Sequence, residues 1–153
     1  MTTPTPDDLA SAMNAVRGGY NLAMGLRFVR ATAEEVVAEC DVGPQHHQPH
    51  GIVHGGVYAG IVETVASVGA GIYAMQRGQS VVGLENHTSF LRAVRSGTLQ
   101  ATARPLTRGR RTQVWEGTIT DADGRVAATG RVRLLCLEAD AILAGEAAKL
   151  SGG

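Results

Sequence analysis

The run VYAGIVETVASVGAGIYAM, residues 57–75, carries a single charge, Glu63, and leaves the chain few ways to fold. Its length approaches the roughly 20 apolar residues of a bilayer-spanning helix. A carboxylate at its centre is costly in lipid and no basic flank sets an orientation, so the run reads as a buried helix with no membrane partner. Val57, Ile61, Val65, Val68 and Ile72 recur at spacings of four, four, three and four. That pattern aligns one bulky stripe for a sheet to cover. Gly56, Gly60, Glu63, Ser67, Ala70, Gly71 and Ala74 make a second face of small residues around one carboxylate. A backbone or a ligand can come close there.

Upstream, residues 7–24 have an acidic start and glycines in the middle, a helical lead-in at the periphery. LRFVRATAEEVVAECDV then reads as two short strands around a turn. After the helix, Gly78 offers a stop, and SVVGLENHTSFLRAV, GTLQATARPLT, RTQVWEGTITD and RVAATGRVRLLCLE read as four meandering strands. DADG at 121–124 is a hairpin turn signal, and the tail 139–153 is expected to form a loose terminal helix. Two strands, one helix and four strands predict an α+β fold, an antiparallel sheet wrapped around one long central helix. At 153 residues, the chain is expected to be one domain, 1–153.

Fourteen basic residues balance fourteen acidic ones, so no global field draws the protein to nucleic acid. Lys149 is the only lysine, and arginine suits fixed, bidentate contact with phosphate or carboxylate. Cys40 and Cys136 are isolated within apolar stretches, and MTTPTPDDLASAM lacks the pattern of a secretory signal. Both features predict reduced thiols and a cytoplasmic protein.

The segment HHQPHGIVHGG, residues 46–56, holds four of the five histidines. His47, His50 and His54 have the spacing of a zinc site. Gln48, Pro49 and Gly51, however, describe an extended loop that does not fix imidazole geometry as a helical HExxH would, so no metal is expected. The alternative lies in the glycine pair. Gly55 and Gly56 open the long helix, where unsatisfied amides and the positive end of the helix dipole could stabilise an oxyanion, or where the glycines could merely permit a tight turn. A lone glutamate on the small face pays a desolvation cost, which fits a residue kept for acid/base chemistry or one paired to an arginine. Eight residues of helix separate Gly55 from Glu63, about 12 Å. One carbonyl cannot touch both within one chain, which predicts a homodimer with composite sites.

With QPHGIVHGGVYAGIVETVAS and VVGLENHTSFLRAV in view, the chain resembles the hotdog-fold acyl-CoA thioesterases over residues 26–138. The branch includes the phenylacetate-pathway, glutamate-dependent 4-hydroxybenzoyl-CoA, enterobactin-proofreading and menaquinone-pathway thioesterases. Its motif is HGG followed, seven positions after the second glycine, by an acidic residue. The resemblance implies that Glu63 is nucleophile or general base and that the Gly55 amide polarises the thioester carbonyl. It further implies that Gln48 and His54 bind and orient the thioester, that Ser67 positions water or the intermediate, and that His87 lies near the acyl group. The phenylacetate-pathway members have aspartate where Glu63 stands. Dimers usually paired into tetramers are implied, with an aromatic or broad acyl group on coenzyme A or on a carrier protein and no separate cofactor.

Coenzyme A also calls for phosphate contacts. TRGRRT, 107–112, places Arg108, Arg110 and Arg111 at a strand turn, either as phosphate ligands or as a solvated basic hairpin. Two rival functions stand beside hydrolysis. One is a hotdog dehydratase or hydratase, whose usual motifs are absent; the other is a non-catalytic acyl-CoA-binding protein, against which Gln48, Gly55, Glu63 and Ser67 together speak.

Overall fold

The computed structural model describes residues 7–148. Helices α1 (Ala10–Ala15) and α2 (Gly19–Met24) precede strands β1 (Leu26–Ala31) and β2 (Val36–Asp41). The long helix α3 (Gly55–Met75) follows, then β3 (Ser80–Phe90), β4 (Thr98–Arg108), β5 (Thr112–Thr120) and β6 (Val126–Leu137). Six strands form one antiparallel sheet in the order β1-β2-β4-β5-β6-β3. This is the α+β hotdog arrangement predicted from the sequence.

Period-two burial explains how the sheet holds the helix. Val36, Ala38 and Cys40 on β2, Leu99, Ala101 and Ala103 on β4, and Trp115, Gly117 and Ile119 on β5 all point inward. The alanines and Gly117 let α3 lie close, and a Cβ on Gly117 would meet Val62 at 3.3 Å. Ile61, Val62, Val65 and Ala66 are buried beneath the strands. By length and composition α3 could cross a membrane, and half of that window is buried in the protein. Trp115 lies under Gly69, where any Cβ would overlap its ring. The indole Nε1 donates to Gln113 Oε1 at 2.9 Å, and Gln113 Nε2 donates to the Ala70 carbonyl at 3.1 Å. On the small face, Ala70 and Ala74 join the core, while Gly56, Gly60, Glu63, Ser67 and Gly71 stay at least partly accessible.

Three expectations need correction. The last four strands do not form one meander, because β2 and β5 take both edges of β4 and leave β3 to pair with the free edge of β6. The lead-in is two six-residue helices, broken near Gly18 and Gly19. Within the tail, residues 139–148 form no helix: β7 (Ile142–Leu143) and β8 (Glu146–Ala147) make a small hairpin. Ala144 and Gly145, with φ of 49° and 87°, are left-handed in succession, which turns a hairpin and stops a helix. Residues 149–153 lie outside the described residues, as do 1–6.

The two edges of the sheet differ. The outer edge of β1 is covered by the lead-in: Asn14 bonds both the amide and the carbonyl of Phe28, at 2.8 and 2.7 Å, and Arg17 donates to the Leu26 carbonyl at 2.8 Å. Asp8 accepts from the Ala31 amide at 2.9 Å. Strand β3, eleven residues long, has no such cover among the described residues, and positions 83–87 are exposed. An uncovered edge of that length is a template for pairing.

Candidate active site

The histidine-rich loop is held by its own side chains. Buried His46 accepts the Gly43 amide on Nδ1 at 2.9 Å and donates from Nε2 to the Met24 carbonyl at 2.7 Å. His47 Nε2 bonds the Arg95 carbonyl at 2.8 Å, and Arg95 Nη1 returns to the His50 carbonyl at 2.8 Å. His54 caps α3, its Nδ1 accepting the Gly56 amide at 2.7 Å. An accepting Nδ1 carries no proton, so neutral His54 keeps its hydrogen on Nε2. Three of the four loop histidines thus commit a ring nitrogen to backbone, and among the described residues no three His, Cys, Asp or Glu converge to hold a metal.

Gln48 Oε1 accepts the His50 amide. Its NH₂ group therefore remains a donor. Gln48 lines a groove of about 290 Å³ with Ile52, Gly55, Tyr58 and Phe90, and Arg92 is at its rim. The Phe90 ring occupies the space that a Cβ on Gly55 would need. With the Gly56 amide taken by His54, the Gly55 amide has no bond among the described residues and sits at the positive end of a 21-residue helix. Burial pushes the Tyr58 hydroxyl above its ordinary pKa, with the Asp121 charge adding to the effect. Tyr58 stays protonated and donates to the Arg92 carbonyl at 3.2 Å.

Glu63 is half-buried beside β3. Asn86 Nδ2 donates to Glu63 Oε2 at 3.0 Å and to the Ala59 carbonyl at 3.0 Å, while Ser67 Oγ donates to Glu63 Oε1 at 3.4 Å. Both carboxylate oxygens thus have a donor. Glu63 does not line the groove that holds Gln48 and Gly55. Within one chain, Glu63 and the Gln48–Gly55 groove thus lie about two helical turns apart.

Within this chain His87 lies on the opposite face of the sheet from Glu63. It borders a shallow outer depression with Ser89, Glu116 and Arg131. A bulge between Gly83 and Glu85 is the reason. Val81 and Gly83 face α3 before it, and Asn86, Thr88 and Phe90 after it, so the extra residue reverses the parity that would have carried His87 inward. Asn86 therefore faces Glu63 from a position that strict alternation would have turned outward.

The arginines lie near the other end of α3, where Gln79 donates to the Arg110 carbonyl at 3.3 Å. A helix of this length spans about 30 Å, so within one chain the cluster is far from Gly55. Arg108 is engaged: it forms a fork with Glu34 at 2.8 and 3.2 Å and lies 4.5 Å from the Tyr73 ring centroid. Arg110 and Arg111 are exposed, and among the described residues no carboxylate pairs with them.

The sheet wraps a helix that begins with a free amide and carries a donor-held carboxylate on its third turn, groups able to polarise a carbonyl and to act as nucleophile or base. The chain belongs to the thioesterase superfamily, which it matches over residues 50–128. It is 43% identical over 138 residues to Rv1847 of Mycobacterium tuberculosis, covering 89% of this chain and 97% of that one. The solved structure of that relative superposes with a TM-score of 0.77, at 45% identity, over 78% of this chain and 97% of the other. Proofreading thioesterase EntH of Klebsiella pneumoniae is 37% identical over 123 residues, 80% of this chain and 89% of the relative. The thioesterase PA1618 of Pseudomonas aeruginosa, solved as a mutant, aligns with a TM-score of 0.80 at 29% identity, over 88% and 96% of the two chains. The chain is a thioester hydrolase.

Proposed function

We propose that the protein hydrolyses acyl-CoA thioesters, with an aromatic or broad-range acyl group, at sites shared between two chains. The observation that carries this reading is the separation of the two half-sites: Gln48 and the Gly55 amide line one groove, and Glu63 lies outside it. Antiparallel pairing of two uncovered β3 edges would set the start of one α3 beside the partner's Glu63. Two such dimers would make the tetramer.

In the proposed reaction, the thioester carbonyl oxygen is held by the Gly55 amide and the Gln48 NH₂ group, with the outward Nε2–H of His54 beside them. Glu63 either attacks the carbonyl carbon, expelling the thiolate and leaving an anhydride that water cleaves, or takes a proton from water as it attacks. Both routes give the free acid and the thiol. Ser67, one turn after Glu63, positions water or the intermediate. Arg110 and Arg111 of the partner chain are exposed arginines that would meet the phosphates of coenzyme A or of a carrier protein's prosthetic arm. No metal or separate cofactor enters the scheme, and the protein acts in the cytoplasm.

Thiol release from benzoyl-CoA, hydroxybenzoyl-CoA and a series of aliphatic acyl-CoA esters tests this reading, with wild type and Glu63→Gln measured in the presence of a chelator. The expected result is chelator-resistant turnover that falls by at least about a hundredfold in the variant. An unaffected variant would remove Glu63 from the chemistry, and loss of activity to the chelator would return the histidine loop to consideration as a metal site.

A further inference from the structure

We infer that the β3 edge builds a seat for the catalytic carboxylate, in which Asn86 is a positioning residue oriented by Thr88 and Gly83 is the notch that admits Glu63. The inference rests on Glu63 being the catalytic group.

An obligate acceptor fixes which way the Asn86 amide faces. The Ala59 carbonyl, 3.0 Å away, can only accept, so the NH₂ group must point to it and thereby to Glu63 Oε2, also 3.0 Å away. Thr88 Oγ1 donates to the Asn86 Oδ1 that this orientation presents, at 2.6 Å, and so braces the amide from its other end. Because Asn86 bonds the helix backbone and the carboxylate with one planar group, it sets Glu63 relative to α3 itself. Ser67 alone could not do this: it rides on the same helix and bonds the other oxygen at 3.4 Å.

Gly83 supplies the space. A Cβ built on it would overlap Glu63 Oε1, and its φ is not in the left-handed region, so the backbone itself would accept alanine. Only the carboxylate forbids a side chain there. The bulge after Gly83 is what brings this notch and Asn86, three residues apart, to the same face of β3. A misplacement of about 1 Å at a reacting group can cost roughly a hundredfold in rate, so the seat bears on turnover more than on affinity.

The test measures kcat and KM with whichever of benzoyl-CoA and hexanoyl-CoA the wild type turns over faster, for Glu63→Gln, Asn86→Ala, Thr88→Val and Gly83→Ala. Circular dichroism and thermal melts accompany each variant. The expected pattern is a loss of roughly 10- to 100-fold in kcat for Asn86→Ala and Gly83→Ala, a smaller loss for Thr88→Val, and KM within a few-fold of wild type. Adding Asn86→Ala to Glu63→Gln should cost nothing further, since a residue that acts through Glu63 is silent once Glu63 is gone. Glu63→Gln impaired while Asn86→Ala and Gly83→Ala turn over like folded wild type would overturn the seat and leave Glu63 standing. An additive loss in the double variant would also overturn it, by giving Asn86 a role of its own. Wild-type turnover by Glu63→Gln would overturn both readings.

Discussion

At the scale of single residues, hydrogen-bond direction decides what each group can offer a substrate. Gln48 spends its oxygen on the loop and His54 spends Nδ1 on the helix, so each keeps a donor to offer. The same accounting predicts an acid-labile turn at Asp121. Burial alone would raise its carboxyl, but the amides of Arg125 and Asp123 and the Arg125 guanidinium outweigh that and hold it below the usual carboxylate range. A depressed folded value contributes stability above the unfolded value of about 3.9, and that stability is lost as pH falls through the lower folded value. Acid titration followed by Trp115 fluorescence should therefore show Asp121→Asn less stable than wild type at neutral pH, with the gap closing below about pH 4. A gap that persists unchanged at acid pH would assign the turn's stability to something other than the Asp121 charge.

At the scale of elements, α3 was readable because its bulky stripe and its small face both follow the helical period, and packing respects both. Gly55 and Glu63 could be assigned to that helix for a related reason: they lie within an element whose limits the sequence marks. Strand β3 was not. Its parity depends on one bulged residue, Leu84, and no local signal in VVGLENHTSF distinguishes a strand with the bulge from one without. The turn of Asn86 toward Glu63 was therefore hidden. The pairing of β3 with β6 was equally hidden, being set by which edges remain free after β2 and β5 have bonded β4. Beneath the helix, Gln113 ties Trp115 to the Ala70 carbonyl. Trp115→Phe keeps an aromatic ring under Gly69 but leaves the buried Gln113 oxygen without its donor. It should lower unfolding free energy in urea by about 1–3 kcal/mol, and a change within error of zero would show that the bond carries no stability.

At the scale of the whole molecule, the sheet has one covered edge and, among the described residues, one open edge. Side chains of the lead-in bond the backbone of β1, whereas positions 83–87 of β3 stand exposed beside the carboxylate. The account's central claim is that the Gln48–Gly55 groove of one chain and Glu63 of another serve one thioester. Subunit complementation tests it most directly. Glu63→Gln and Gln48→Ala chains, each nearly inactive alone, would be unfolded together, refolded as a mixture and assayed for thiol release. Random pairing gives each mixed dimer one site with both substitutions and one with neither, so turnover should return to roughly a quarter of wild type. A mixture no more active than the average of its two parents, with mixed dimers demonstrated by mass, would contradict the claim and confine each site to a single chain.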